Sequence, residues 1–208
     1  GLMRALILAT GLMLFGTAAL AQPVVQERLK AIQADPASVK IAVDAGRKAS
    51  FFCANCHGEN GISKTPDVPN LAGQNPAYIL EQMRKFVSGE RKDPFMQGLI
   101  KVLKDDERMQ VALFYASATV PPSVADAAQA LRGKELFGKL CVRCHGEQAR
   151  GNAEIPRIAG QKVPYLQSTI MRYRDGTGIR SNQSMAIATA PLKNEDVIAV
   201  ANYLTQLQ

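Results

Sequence analysis

Apolar residues recur at three- and four-residue intervals in several stretches of the chain, which is the spacing of one helix face. Two such stretches follow Asn75 and Lys162, and their apolar positions are Ile79, Met83 and Phe86, and Leu166, Ile170 and Tyr173. Further helices are predicted over about residues 37–54 and 124–143, and from near Asp105 and Asn194 onward. No stretch has the alternation of a convincing strand. The pattern therefore predicts an all-α fold.

The same landmarks occur twice along the chain, in the same order, at a shift of 87 to 89 residues. Pro69–Gln74 reads PNLAGQ, and Pro156–Gln161 reads PRIAGQ. The overlay also pairs Tyr78 with Tyr165, Phe86 with Tyr173, Arg91 with Arg180, Met96 with Met185, Leu103 with Leu192, and Tyr115 with Tyr203. A repeat that keeps this order indicates a tandem pair of like domains.

The repeat predicts the domain boundaries. Residues 43–119 are expected to form the first domain and residues 125–208 the second, joined by a proline-containing linker at 120–124. Residues 22–42 have no counterpart in the second half, so they are interpreted as a partly helical N-terminal extension.

The first 21 residues are typical of a secretory signal peptide. Arg4 precedes an apolar run, and Ala19-Leu20-Ala21 offers a cleavage site with small residues. Export to the periplasm is therefore expected. The apolar run is short for a membrane span, but an uncleaved membrane anchor stays open as an alternative.

Composition and charge narrow the classes of function. The chain has 208 residues, of which 47% are hydrophobic, enough to bury a core. The formal net charge is +7, but basic residues are interspersed with acidic ones and form no dense run. Nucleic-acid binding is therefore not expected, whereas docking to acidic redox partners is.

Two short motifs contain every cysteine and every histidine of the chain. They are Cys53-Ala54-Asn55-Cys56-His57 and Cys141-Val142-Arg143-Cys144-His145. A CxxCH motif is typical of covalent haem c attachment, in which the two thiols add to the haem vinyl groups and the histidine binds iron. Two motifs predict two haems.

Four cysteines have other possible uses. A CxxC pair can be a dithiol redox centre, two pairs can hold zinc, and exported cysteines can form disulfides. None of these explains why the two histidines directly follow the second cysteine of each pair. Haem is the favoured interpretation.

Each iron needs a second axial ligand, and no spare histidine exists. Of the methionines outside the predicted signal peptide, Met96 and Met185 are each other's counterparts in the overlay. Both are predicted to lie in an irregular loop, 39 and 40 residues after His57 and His145. The sequence therefore predicts two closed His/Met sites, a ligand set that suits electron transfer.

Residues around these ligands are candidates for orienting the histidines or for binding the haem propionates. A backbone carbonyl at Pro69 or Pro156 could accept a hydrogen bond from the other ring nitrogen of the histidine, or each proline could simply shape a loop. Arg91 and Arg180 could pair with haem propionates, as could Gln74 and Gln161. A solvated basic surface is the alternative for these side chains.

These residues resemble the dihaem cytochrome c4 family, in which two class I cytochrome c domains are joined in tandem. The resemblance rests on the CxxCH motifs, the Pro-x-Leu/Ile-Ala-Gly-Gln segments and the late methionine, and it covers about residues 45–208. It implies a periplasmic electron carrier, often membrane-associated, that takes electrons from a quinol-oxidising cytochrome complex and passes them toward a terminal oxidase. It implies no small-molecule substrate and no catalytic residue.

The sequence leaves two other functions as alternatives. One is the haem subunit of a dehydrogenase that oxidises a reduced sulfur compound, with catalysis in another chain. The other is a dihaem peroxidase, which needs an open iron site. A methionine in both halves argues against the peroxidase, as does the lack of an added acid or base. The second methionine segment lacks the Asp93-Pro94 pair of the first, which predicts unequal potentials.

Overall fold

The computed structural model describes residues 18–121 and 123–208, so most of the predicted signal peptide lies outside the described residues. The described residues contain eleven α-helices and no strand, which confirms the all-α prediction. The helices are α1 (Ala18–Gln33), α2 (Pro36–Ala49), α3 (Phe51–His57), α4 (Pro76–Ser88), α5 (Pro94–Lys101), α6 (Asp105–Ser117), α7 (Ala127–Leu140), α8 (Val142–His145), α9 (Val163–Arg174), α10 (Gln183–Thr189) and α11 (Asn194–Thr205). No described helix is both long and apolar enough to cross a membrane.

Each half builds its core around one pair of crossed helices. In the first half α2 packs against α6, and in the second α7 packs against α11. In the first half α4 packs on α6 and the short helix α5 packs on α4. In the second half α9 packs on α11 and the short helix α10 packs on α9. The two halves therefore repeat one arrangement, as the overlay predicts.

A glycine lies at each helix crossing. A Cβ atom added at Gly46 would clash with the carbonyl of Gln110, and one added at Gly133 would clash with the carbonyl of Ala199. Because those contacts are with helix backbone, the helices can approach this closely only where no side chain intervenes. These two glycines set the distance between the crossed helices.

The structure corrects the overlay near its end. Gly46 faces the Cβ atom of Phe114, and Gly133 faces the Cβ atom of Tyr203 in the same way. The counterpart of Tyr203 is therefore Phe114 and not Tyr115, as the aligned tyrosines suggested. A one-residue error of this kind places a side chain on a different helix face.

The helices that precede the motifs are also shorter than predicted. The helix expected over residues 37–54 is divided into α2 and α3 at Ser50, and the one expected over 124–143 is divided into α7 and α8 at Cys141. The breaks allow each attachment motif to turn away from the preceding helix.

The N-terminal extension packs on the first domain. Leu29 of α1 is 2% exposed and belongs to the core of that domain, with Val25 and Ile32 packed beside it. Arg28 forms an ion pair with Asp106 at the start of α6, at 2.5 Å. The second part of the predicted extension, from Pro36, belongs to α2.

Candidate functional site

The two CxxCH motifs lie on short helices next to the cores. Cys53, Cys56 and His57 lie on α3, whereas Cys141 is the N-cap of α8, which holds Cys144 and His145. All four thiols are free, so the described residues contain no disulfide. No group of three or more cysteine, histidine or acidic side chains in the described residues is arranged to hold a metal ion.

Both histidines are buried and oriented by a backbone carbonyl. His57 Nδ1 lies 2.9 Å from the Pro69 carbonyl oxygen, and His145 Nδ1 lies 3.1 Å from that of Pro156. Because a carbonyl can only accept, Nδ1 carries the proton and Nε2 presents its lone pair. Burial also lowers the pKa of both imidazoles, which favours the neutral form that binds iron.

The same burial acts on the first cysteine of each motif. It raises the pKa of the Cys53 thiol, and it raises the pKa of the Cys141 thiol to about 11. Burial therefore favours the neutral thiol over the thiolate at both positions.

Met96 and Met185 lie in helices, so the predicted irregular loop is wrong. Met96 is in the first turn of α5 and Met185 in the first turn of α10. Asp93 caps α5 by accepting from the Met96 N–H at 3.0 Å, and Asn182 caps α10 by accepting from the Met185 N–H at 2.9 Å. Asparagine thus replaces the aspartate that the second segment lacks, since both side chains accept a hydrogen bond at an N-cap.

A continuous cavity of about 810 Å³ connects the two motifs. Its walls include both histidines, all four cysteines, Met96 and Met185. Met83 also lines it, but its counterpart in the second domain is Ile170, which cannot bind iron. The structure therefore brings each predicted ligand set together around one apolar space.

Arg91 and Arg180 lie where the two domains meet and exchange contacts across the boundary. Arg91 donates to the Tyr165 hydroxyl at 3.2 Å, and Arg180 donates to the Tyr78 hydroxyl at 2.8 Å. Arg180 is only 8% exposed, so its alternative interpretation as a solvated surface cation is wrong.

The environment of the Arg180 Nε atom shows whether the cavity suits a haem. It is buried, has no hydrogen-bond partner in the described residues, and belongs to a side chain that lines the cavity. A buried guanidinium donor without an acceptor is costly, and a propionate is the acceptor that a haem would supply. The donors and the thiols present therefore fit haem.

Gln74 and Gln161 were expected to contact propionates, but the structure gives their amide groups another role. Each side chain is buried and hydrogen-bonded to the backbone of the opposite domain. The repeated AGQ segments were the available indication of a shared role. They could not show that the role lies between the domains.

Two helical domains, each with a CxxCH motif and a methionine facing one cavity, define a dihaem c-type cytochrome. The Cytochrome c family model matches residues 130–208. The chain is 31% identical over 175 residues to cytochrome c4 of Pseudomonas aeruginosa, covering 78% of this chain and 87% of that protein. This chain belongs to the cytochrome c4 family.

Two further similarities agree with that assignment. The crystal structure of reduced recombinant cytochrome c4 from Pseudomonas stutzeri matches with a TM-score of 0.72 at 30% identity, over 80% of this chain and 98% of that one. A protein named thiosulfate dehydrogenase electron acceptor, from Stutzerimonas stutzeri, is 32% identical over 173 residues, covering 76% of this chain and 80% of that protein. The predictions of covalently bound haem c and of an electron-transfer protein rather than an enzyme are confirmed.

Proposed function

We propose that this protein is a periplasmic electron carrier with two six-coordinate irons, one held by His57 and Met96 and the other by His145 and Met185. The observation that carries the proposal is the pairing of both ligand sets around one cavity that joins the domains. Cys53 and Cys56 would attach the first haem, and Cys141 and Cys144 the second.

The bound haem supplies an iron that gains and loses one electron. The chain's own residues hold the axial ligands in place during that exchange. The Pro69 and Pro156 carbonyls hold the imidazoles in one orientation, and the helix N-caps at Asp93 and Asn182 fix the backbone of the methionines. Two closed ligand sets leave no coordination position for a substrate, and a thioether ligand favours the reduced iron.

The proposed direction of transfer is from a quinol-oxidising cytochrome complex to a terminal oxidase. The formal charge of +7 includes Arg4 of the predicted signal peptide and is lowered further by haem propionates, so the mature protein is mildly basic. A basic docking patch supports association with acidic partners, at rates that rise at low salt. The proposed location is the periplasm, reached through the signal peptide predicted at residues 1–21, with association at the membrane if that segment is retained.

A second candidate electron donor is a dehydrogenase that oxidises a reduced sulfur compound. The observation that favours it is the similarity to a relative named as an electron acceptor of thiosulfate dehydrogenase. The two donors are separated by mixing oxidised holoprotein with either purified complex and its substrate and following haem reduction by stopped-flow absorbance. Reduction by the dehydrogenase at a rate that the quinol-oxidising complex does not reach would identify the sulfur route.

The iron ligands are tested by Met96→Ala and Met185→Ala in the holoprotein. Each variant is expected to lose about half of the methionine-to-iron charge-transfer band of the oxidised protein, because one of two thioether ligands is gone. Each reduced variant should also bind one carbon monoxide. Absorption spectra and carbon monoxide titration measure both effects.

Met171→Ala is the matched control, because Met171 is half-buried in the second domain but does not line the cavity. It is expected to keep the full band and to bind no carbon monoxide. An unchanged band in Met185→Ala, or a high-spin ferric haem in the parent protein at neutral pH, would rule out the proposed ligand set.

A further inference from the structure

Each domain sends one buried glutamine side chain to the backbone of the other. Gln161 Oε1 accepts from the Asn70 N–H, and Gln161 Nε2 donates to the Asn70 carbonyl, both at 2.9 Å. Gln74 makes the same two bonds with Arg157, both at 2.8 Å. Gln74 is 8% exposed and Gln161 is 7% exposed, so these bonds are shielded from water. The exchange is reciprocal because the same segment of each repeat lies at the contact between the domains.

The peptide group that each glutamine binds also serves an axial histidine. The carbonyl of the Pro69–Asn70 peptide accepts from His57 Nδ1 at 2.9 Å, while the N–H of the same peptide donates to Gln161. The Pro156–Arg157 peptide is used in the same way by His145 and Gln74. Each histidine is thus linked through one peptide to a side chain of the other domain.

Hydrogen bonds that share a peptide group strengthen one another. Donation by the N–H increases the negative charge on the carbonyl oxygen of the same peptide, by an effect of about 10–30% per bond in condensed-phase estimates. A stronger acceptor at Nδ1 makes the imidazole a better electron donor to iron. That favours the oxidised iron and lowers its potential.

We propose that Gln74 and Gln161 are positioning residues that tune the axial histidine of the opposite domain and thereby link the two haem potentials. The inference rests on the proposed function only in taking His57 and His145 as iron ligands. Gln161 sets part of the potential of the first haem, and Gln74 sets part of the potential of the second. The domain that contains a haem therefore does not fix its potential alone.

The test uses Gln161→Met and Gln74→Met in the full holoprotein. Since the chain has only two histidines, reduced protein labelled with ¹⁵N-histidine gives two Nδ1–H resonances, assigned by contacts within each domain. Gln161→Met is expected to move the His57 resonance upfield, because its hydrogen bond weakens, and to leave that of His145 in place. Gln74→Met is expected to do the reverse.

A redox titration gives the second readout. The ratio of reduced to oxidised iron in the first haem, at a fixed solution potential, is expected to rise about threefold in Gln161→Met, which corresponds to about 28 mV for one electron. Gln161→Glu supplies a stronger acceptor as a carboxylate, so the His57 resonance should move downfield instead. A purely structural disturbance would not reverse its sign between these variants.

Asn75→Ala is the matched control for a loosened interface. The Asn75 side chain donates across the boundary to the carbonyls of Arg150 and Ile155, at 3.2 and 3.0 Å, without touching either shared peptide. It should move neither resonance. The proposal is wrong if Gln161→Met moves the His145 resonance, moves both equally or moves neither. Failure of the methionine ligation would appear separately, in the charge-transfer band.

Discussion

Arg180 is the residue whose environment departs furthest from what its type suggests. It is nearly buried, donates to the hydroxyls of Tyr78 and Tyr165, and stacks its guanidinium 5.0 Å from the ring centre of Tyr173. No carboxylate of the described residues pairs with it. A buried cation held by tyrosines rather than by an acid of the chain would exert its positive field on a haem bound in the cavity.

Removing this cation should make the irons harder to reduce. In Arg180→Met the haem potentials are expected to fall by on the order of 30–60 mV, because a positive charge in a medium of effective dielectric constant near 20 favours the reduced iron. A spectroelectrochemical titration measures this shift. Arg84→Met is the control, since this substitution removes the same charge but Arg84 does not line the cavity. Equal shifts in the two variants would contradict a local effect.

At the scale of the element, one pair of crossed helices sets the shape of each domain. Their closest approach depends on Gly46 and Gly133, which are 87 residues apart and were not singled out by the hydrophobic pattern. A helix pattern identifies an apolar face, but it does not show which position on that face meets another backbone. The crossing is therefore a tertiary property of these glycines.

The crossing can be tested within one helix. Gly133→Ala is expected to lower the free energy of unfolding by about 3 kcal/mol, because its Cβ atom would overlap the carbonyl of Ala199, which cannot move aside. Gly138→Ala is the control: it lies on α7 with nothing within 4 Å of the added atom. It should stabilise the helix by about 0.4–1 kcal/mol. Urea denaturation measures both changes in unfolding free energy. Equal destabilisation by the two substitutions would contradict the role of Gly133 at the helix crossing.

The linker contributes to the contact between domains at the scale of the whole molecule. One methyl of Val120 lies against Gly73 and the other against Gly160, which are counterparts in the two repeats. Val120 therefore fills the space between the two AGQ segments whose glutamines cross the boundary. This contact helps to hold the domains in the arrangement that joins their cavities.

Val120→Ala should weaken that arrangement. It is expected to reduce the free energy of unfolding by about 1–2 kcal/mol, because two half-buried methyl groups that lie against Gly73 and Gly160 are removed. Val124→Ala is the matched control, since Val124 is in the same linker and 97% exposed. Its effect should stay within about 0.5 kcal/mol. Equal losses of unfolding free energy in the two variants, measured with denaturant, would show that Val120 does not stabilise the contact between the domains.

Prediction from the sequence worked best where a repeat supplied a second copy of each feature. The CxxCH motifs predicted covalent haem, and the order of apolar positions predicted helices, because both depend on spacing along the chain. Met96 and Met185 remain a prediction as iron ligands, although both line the cavity that also contains the two histidines. Their short helices were missed because seven or eight residues give little periodicity.

The sequence by itself determined the cofactor, the number of domains and the helical class, since covalent chemistry and local periodicity are written in neighbouring residues. Only the tertiary structure decided what the shared residues contact. Gln74 and Gln161 were expected to serve haem propionates, yet their amide groups hydrogen-bond the backbone of the opposite domain, while Arg91 and Arg180 donate to tyrosine hydroxyls across the same boundary. Contacts between domains depend on how two folded surfaces meet, and a pattern within either half contains no information about the distance to the other.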